Sequence, residues 1–294
     1  MQRAGANLIR EIQKVIPTRR QLEGGGFPVR RPFPMSEVPD PFLLLDEMGP
    51  VDWPPNKALG APPHPHRGFE TVTYLLQGNM QHADSAGNSG DLNPGDVQWM
   101  TAGSGVIHSE LPHPDFLSAG GTSHGFQIWV NLPSKDKMMA PRYQDIPKAE
   151  IPVAQSEDGL TWVKVVAGAC LGVSAVIDTV QPVHYLHFRM EPGAKHTQDV
   201  PESFNGLIYC FAGEVLAGSK GKLLKAGSVG ILGSGESIEL SVDDDADLDA
   251  EFLLLAGLPT NEPIARWGPF VMNTQEEIMR AVDDYEHGRL VRAP

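Results

Sequence analysis

The sequence predicts an all-β protein, built as two β-barrels in tandem and ending in one helix. Three observations carry that expectation. First, short alternating or β-branched runs recur along the chain, such as Thr71-Val72-Thr73-Tyr74-Leu75-Leu76, Phe126-Gln127-Ile128-Trp129-Val130, Trp162-Val163-Lys164-Val165-Val166 and Gly206-Leu207-Ile208-Tyr209-Cys210-Phe211. Turn signals divide them, among them Gln77-Gly78-Asn79, Pro94-Gly95-Asp96 and Gly233-Ser234-Gly235, and many short strands with regular turns read as a sandwich or barrel. Second, the halves rhyme. Leu92-Asn93-Pro94-Gly95-Asp96-Val97 is echoed by Leu224-Lys225-Ala226-Gly227-Ser228-Val229, and Leu75-Leu76-Gln77-Gly78 by Cys210-Phe211-Ala212-Gly213, which points to a duplicated unit. Third, clear helical spacing occurs only at the far end of the chain.

Taken in order, residues 1–31 hold seven Lys/Arg against two Glu, so the rest of a chain of net charge −14 carries −19. A surface that acidic repels phosphate backbones and argues against direct nucleic-acid binding. The basic segment reads as a charged outer strand edge. Its first 20 residues lack the apolar stretch and cleavage site of a secretory signal, and Glu11 with the absence of serine counts against an organellar presequence. No apolar run approaches the roughly 20 residues that span a membrane. The expected address is the cytoplasm. Between the halves, the proline-rich stretch from Pro133 to Pro152 is the natural linker, with a boundary near residue 142. The barrels are then 1–142 and 143–294, each close to an ordinary domain length of about 150 residues. Cys170 and Cys210 lie inside apolar runs and read as reduced core thiols. Finally, Thr274-Gln275-Glu276-Glu277 is a capping-box pattern, with Ile278, Met279, Val282 and Tyr285 following at helical spacing, so a helix is expected over 274–287 as the end of the second barrel.

The chemistry sits in His64-Pro65-His66 and His108-Ser109-Glu110. Alternate side chains of a strand share a face. If the two strands lie side by side, three imidazoles and a carboxylate meet. Such donors suit a divalent transition metal and leave positions open for water, oxygen or substrate. An isolated His-x-His also marks an ordinary solvent-facing strand. Here the neighbours Phe69, Val72, Trp99, Met100, Val106 and Ile107 turn the histidines inward. A buried, unpaired carboxylate is costly, and a cation is the simplest partner for Glu110. His64, His66, His108 and Glu110 are therefore the expected metal ligands.

The remaining candidates are weaker. His82 reads equally as a neighbour of the site or as part of a surface turn, and His113 and His124 flank a loop that would edge a pocket. His184, His187, His196 and His287 have no companion at ligand spacing. His196-Thr197-Gln198 stands where the first half has His-x-His, but the stretch matching His-x-Glu is Gly233-Ser234-Gly235-Glu236-Ser237. One metal site is expected, in the N-terminal barrel. The acidic run at Asp243, Asp244, Asp245, Asp247 and Asp249 lacks the glycine and glutamate of a calcium loop, having Leu248 and Leu254 in those places, and reads as a solvated turn. No phosphate loop, GxSxG elbow or Cys–His dyad is visible.

At these residues the chain resembles the pirins, a bicupin family. The likeness runs from Asp40-Pro41-Phe42-Leu43-Leu44-Leu45-Asp46-Glu47 to Gly268-Pro269-Phe270-Val271-Met272-Asn273-Thr274. Its specific parts are His64-Pro65-His66-Arg67-Gly68-Phe69-Glu70-Thr71 and Pro94-Gly95-Asp96-Val97-Gln98-Trp99-Met100-Thr101-Ala102-Gly103-Ser104-Gly105-Val106-Ile107-His108-Ser109-Glu110. The resemblance implies two cupin (jelly-roll) barrels, iron as Fe(II) in the first, held by His64, His66, His108 and Glu110, and a second barrel without metal. Glu70 is not an expected ligand. Ni, Co, Mn or Zn would suit the same donors.

Two functions follow from the resemblance. One is a quercetin 2,3-dioxygenase, which takes a flavonol and O₂ and opens the flavonol's central ring. There Glu110 would act as catalytic base towards the 3-hydroxyl. The other is a redox-sensing adaptor that binds a transcription factor or a metabolic enzyme, with a protein partner in place of a substrate. Fold alone does not choose between them. A monomer is expected in either case.

Overall fold

The computed structural model describes residues 8–23 and 25–291. It is built from β-strands, with a short helix α1 (Pro114–Ala119) and one longer helix α2 (Gln275–Glu286). No described helix is long and apolar enough to cross a membrane.

The chain divides into two compact units, and neither is a continuous half. One comprises residues up to Thr18, Pro32–Asp40 and Ile151–Pro259; the other comprises Arg19–Arg31, Pro41–Glu150 and the residues from Thr260 onward. The single cut expected near residue 142, with 143–294 as the second barrel, is corrected accordingly. Helix α2 belongs to the unit that holds His64. The cause is burial. Ile278 and Ala281 of α2 join Ala265, Phe270, Met272 and Leu290 in one apolar cluster, against which Ile107, next to His108, is packed. An amphipathic helix goes where its apolar stripe is covered.

In the histidine-bearing unit, one sheet runs in the order Arg142–Ile146, Val97–Thr101, Phe69–Gln77, Gly121–Asn131, Phe42–Trp53, Phe27–Pro32. A second sheet runs Ala61–His66, Val106–Pro112, Met80–Asp84, Ser89–Leu92. The neighbouring pairs are antiparallel. Phe69, Val72, Trp99, Phe126 and Ile128 are fully buried in it. Two sheets whose inward side chains face each other form a jelly roll, and that shape turns alternate residues of the second sheet into the interior.

The other unit repeats the plan. Its larger sheet runs Ser228–Leu232, Asn205–Ala212, Ala250–Gly257, Val183–Met190, Thr161–Ala167, Val153–Gln155, with Ile12–Pro17 paired to the outer edge of Ser228–Leu232. Its smaller sheet runs Lys195–Asp199, Ser237–Ser241, Glu214–Ala217, Lys222–Lys225. Leu186, Phe188, Ile208, Phe252 and Leu254 fill its core together with Cys170 and Cys210, both free and buried as the composition suggested. The acidic run from Asp243 is an exposed turn. The basic segment is a strand edge only in part. Lys14 reaches Glu37 at 2.7 Å on the surface, but Arg10 is buried and donates to the carbonyls of Gly233, Pro201 and Glu202.

Candidate metal centre

Strands Ala61–His66 and Val106–Pro112 are antiparallel neighbours, with His64 opposite His108 and His66 opposite Val106. A register shift between Ala61 and His64 re-aims the end of the strand where the two histidines stand. Along Val106–Pro112 the alternation is regular: Val106, His108 and Glu110 are buried, while Ile107 and Ser109 are half-buried. The outcome is three imidazoles at one point. One ring nitrogen from each of His64, His66 and His108 lies within 4.8 Å of the others, and the ring centroids are 4.5 Å (His64–His108), 4.7 Å (His64–His66) and 5.1 Å (His66–His108) apart. Among the described residues this is the sole group of three or more His, Cys, Asp or Glu that meets such spacing.

The donor set fits a metal. His64 directs Nδ1 at the Pro62 carbonyl, 2.8 Å away, and His66 directs Nδ1 at the Pro269 carbonyl, 3.4 Å away. A backbone acceptor on one ring nitrogen fixes the tautomer that leaves Nε2 unprotonated as a ligand. His108 is buried and neither of its ring nitrogens has a hydrogen-bond partner, an expensive state for a polar group. A cation beside it removes that cost. Burial, then the neighbouring His108 and His64, holds the His66 imidazole well below its ordinary value. Burial also pushes His108 down to about 4, against the pull of Glu110. His66 and His108 are thus neutral at physiological pH, the state in which imidazole ligates.

Glu110 does not join the cluster in the expected way. It is buried on the face that carries His108, but its oxygens fall outside the group gathered within 4.8 Å. They are engaged instead: Thr73 Oγ1 donates to Oε1 at 2.8 Å and Gln127 Nε2 donates to Oε2 at 3.0 Å. Burial raises the carboxyl, but His108, His64 and these two donors outweigh it and hold Glu110 below the usual carboxylate range. An ionised carboxylate, fixed beside three imidazoles, is a proton acceptor as well as a candidate donor to a metal. Thr73 and Gln127 were invisible as site residues, since both lie in apolar strands of the other sheet and nothing in their own spacing marks them.

The site opens into a cavity of about 560 Å³ lined by His64, His66 and Glu110 on one side and by apolar Leu75, Met80 and Trp129 elsewhere. That is the size and character of a small-molecule pocket. Arg266 places its guanidinium 4.7 Å from the Trp129 ring centre, and Arg31 pairs with Asp46 at 2.5 Å farther along the lining.

The other histidines separate cleanly. His82 is buried, faces Glu110 across the strand pair, stacks on Tyr143 at 5.3 Å and sits 3.4 Å from Asp145 Oδ2, so it adjoins the site and is no surface turn. His124 does line the pocket, with Nε2 2.9 Å from Glu47, whereas His113 caps α1 by accepting from the Asp115 amide. In the other unit Cys170 Sγ lies 3.6 Å from His196 Nε2, a contact that sequence spacing hid. Burial pushes the Cys170 thiol up to about 12 and the His196 imidazole down, so the pair is neutral packing and not an activated nucleophile.

Comparison with known proteins extends the picture along the chain. The pattern of the pirin family matches residues 26–130, and that of the pirin C-terminal cupin domain matches residues 185–291. A pirin-like protein of Solanum lycopersicum is 44% identical over 283 residues, covering 95% of this chain and 92% of that one. Human pirin is 41% identical over 285 residues, covering 95% and 93%. The crystal structure of quercetin 2,3-dioxygenase from Acinetobacter baumannii superposes with a TM-score of 0.89 at 38% identity, covering 96% of this chain and 98% of that one.

Proposed function

The chain belongs to the pirin family, its two units being cupin barrels, and from that premise we propose that it is an Fe(II)-dependent dioxygenase that opens the central ring of a flavonol of the quercetin type. The observation that carries the reading is the cluster of three imidazoles at the wall of a cavity of about 560 Å³. The likeness to the Acinetobacter enzyme supports the substrate class.

His64, His66 and His108 would hold the metal, with Glu110 as a fourth donor. Iron bound there would supply Lewis-acid and redox chemistry towards O₂ and a chelating hydroxyl. The chain's own residues do the rest. Glu110 takes the proton of the substrate hydroxyl, and its two hydrogen bonds, from Thr73 and Gln127, aim the carboxylate and keep it ionised. Leu75, Met80 and Trp129 give aromatic rings an apolar bed and exclude water from it.

The test is oxygen consumption by Fe(II)-reconstituted protein supplied with quercetin, with bound iron quantified in the same sample and Glu110→Gln run in parallel. Uptake matching quercetin loss, absent in the variant, is the expected result. Fully iron-loaded protein that takes up no oxygen would sink the reading, and redox-dependent protein partners would become the question.

A further inference from the structure

We propose that the C-terminal hairpin (Ala265–Trp267 with Phe270–Met272) and helix α2 position His66, and that Asp284, acting through Arg67, is the residue on which the orientation of that imidazole depends. The inference rests on His64, His66 and His108 being a metal site.

Three consecutive residues at the end of the His64 strand are each gripped by the segment beyond Thr260. His66 turns Nδ1 to the Pro269 carbonyl at 3.4 Å. Arg67, 2% exposed, donates from Nη1 to Asp284 Oδ2 at 2.9 Å, from Nε to the Ser104 carbonyl at 2.7 Å and from Nη2 to the Leu290 carbonyl at 3.5 Å. Its own carbonyl accepts from the Val271 amide at 3.1 Å. Gly68, at φ +91°, comes so close that an added Cβ would stand 2.0 Å from the Val271 carbonyl oxygen. Lys137 Nζ fastens the junction by donating to the Gly68 carbonyl at 2.8 Å and the Val271 carbonyl at 3.2 Å.

The chemistry explains the arrangement. A buried guanidinium is costly unless its charge and its N–H groups are matched, and Asp284 of α2 supplies the counter-charge for Arg67. With Arg67 locked, the backbone that leads out of His66 is fixed, and the Pro269 carbonyl then sets the ring's rotation. Ile278 and Ala281 seat the helix on Phe270 and Met272 of the hairpin that carries Pro269. Partners of this kind govern how well an imidazole presents its free nitrogen, and their loss costs about 10-fold to 100-fold in metal affinity.

The experiment measures Co(II) affinity of the full-length protein by chelator competition, with the visible d–d spectrum and the melting of the metal-free chain recorded alongside. The expected result is that Asp284→Asn weakens Co(II) at least about 10-fold and alters the d–d bands, that Asp284→Glu restores both, and that Met279→Ala, an exposed change on the same helix, does neither. Wild-type affinity and spectrum in a folded Asp284→Asn chain would overturn the proposal. If that variant does not fold, Ile278→Val reads the same coupling by loosening the helix seat, and unchanged affinity there overturns it too. A wild-type chain that binds no Co(II) defeats the metal site itself, and the clamp with it, a failure distinct from the variant-specific one.

Discussion

Replacing His108 with leucine should stabilise the metal-free protein and destabilise the metal-loaded one. His108 is buried with neither ring nitrogen bonded to another protein group, and leaving such groups unsatisfied costs about 1–3 kcal/mol. Leucine fills similar space and has no polar atom to satisfy. A second effect depends on pH. His108 is pushed from 6.5 to about 4 in the folded state, so between those values the unfolded chain binds the proton and the folded chain does not. Stability is then full above pH 6.5 and is lost as pH falls towards 4, at about 1.4 kcal/mol per unit. Metal reverses the ranking, because ligand at about 100 times its dissociation constant adds about 2.7 kcal/mol to the wild type, which the variant cannot collect. The assay is calorimetric melting of both chains in EDTA and in Co(II), at pH 7 and pH 5. His108→Leu should match or exceed wild type in EDTA at pH 7, gain a further lead of about 2 kcal/mol at pH 5, and fall behind in Co(II). A variant weaker than wild type by more than about 1 kcal/mol in EDTA at pH 7 would refute the reasoning.

Two more outcomes follow from other parts of the chain. Since burial pushes the Cys170 thiol up to about 12, native protein at pH 8 should leave it unlabelled by a disulfide reagent until guanidinium is added; labelling within seconds in native buffer contradicts that environment. Thr274→Ala removes the side chain that accepts from the Glu277 amide and should cost about 1 kcal/mol, read as a lower denaturation midpoint with Co(II) affinity reduced no more than severalfold; an unchanged midpoint would mean the cap contributes nothing.

Features that follow from local periodicity were legible in the sequence. Alternation in Val106, His108 and Glu110 gave the inward face, and the pattern from Thr274 gave both the cap and the helix at Gln275–Glu286. Features that depend on distant chain meeting distant chain were not. Thr73 and Gln127 reach Glu110 from the facing sheet, so their roles exist only once the barrel closes. The same holds for Cys170 beside His196. Arg10 shows how charge misleads: a cation in a basic run reads as surface, but here three backbone carbonyls replace its water. The division of the chain failed for a related reason. Helix α2 was correctly seen as amphipathic, but an apolar stripe does not name the surface that covers it.

Synthesis runs from one end of the chain to the other, and the Arg67–Asp284 pair spans 217 residues of it. At about 5–20 residues per second, the strand bearing two of the histidines leaves the ribosome some ten to forty seconds before the helix that completes its surroundings. Through that interval the nascent barrel has its inward histidines but no hairpin behind His66 and no carboxylate for Arg67. Closure over so long a loop is entropically slow. The surroundings of His66 are therefore completed by the arrival of residues 265–290 and not by the appearance of the histidines themselves.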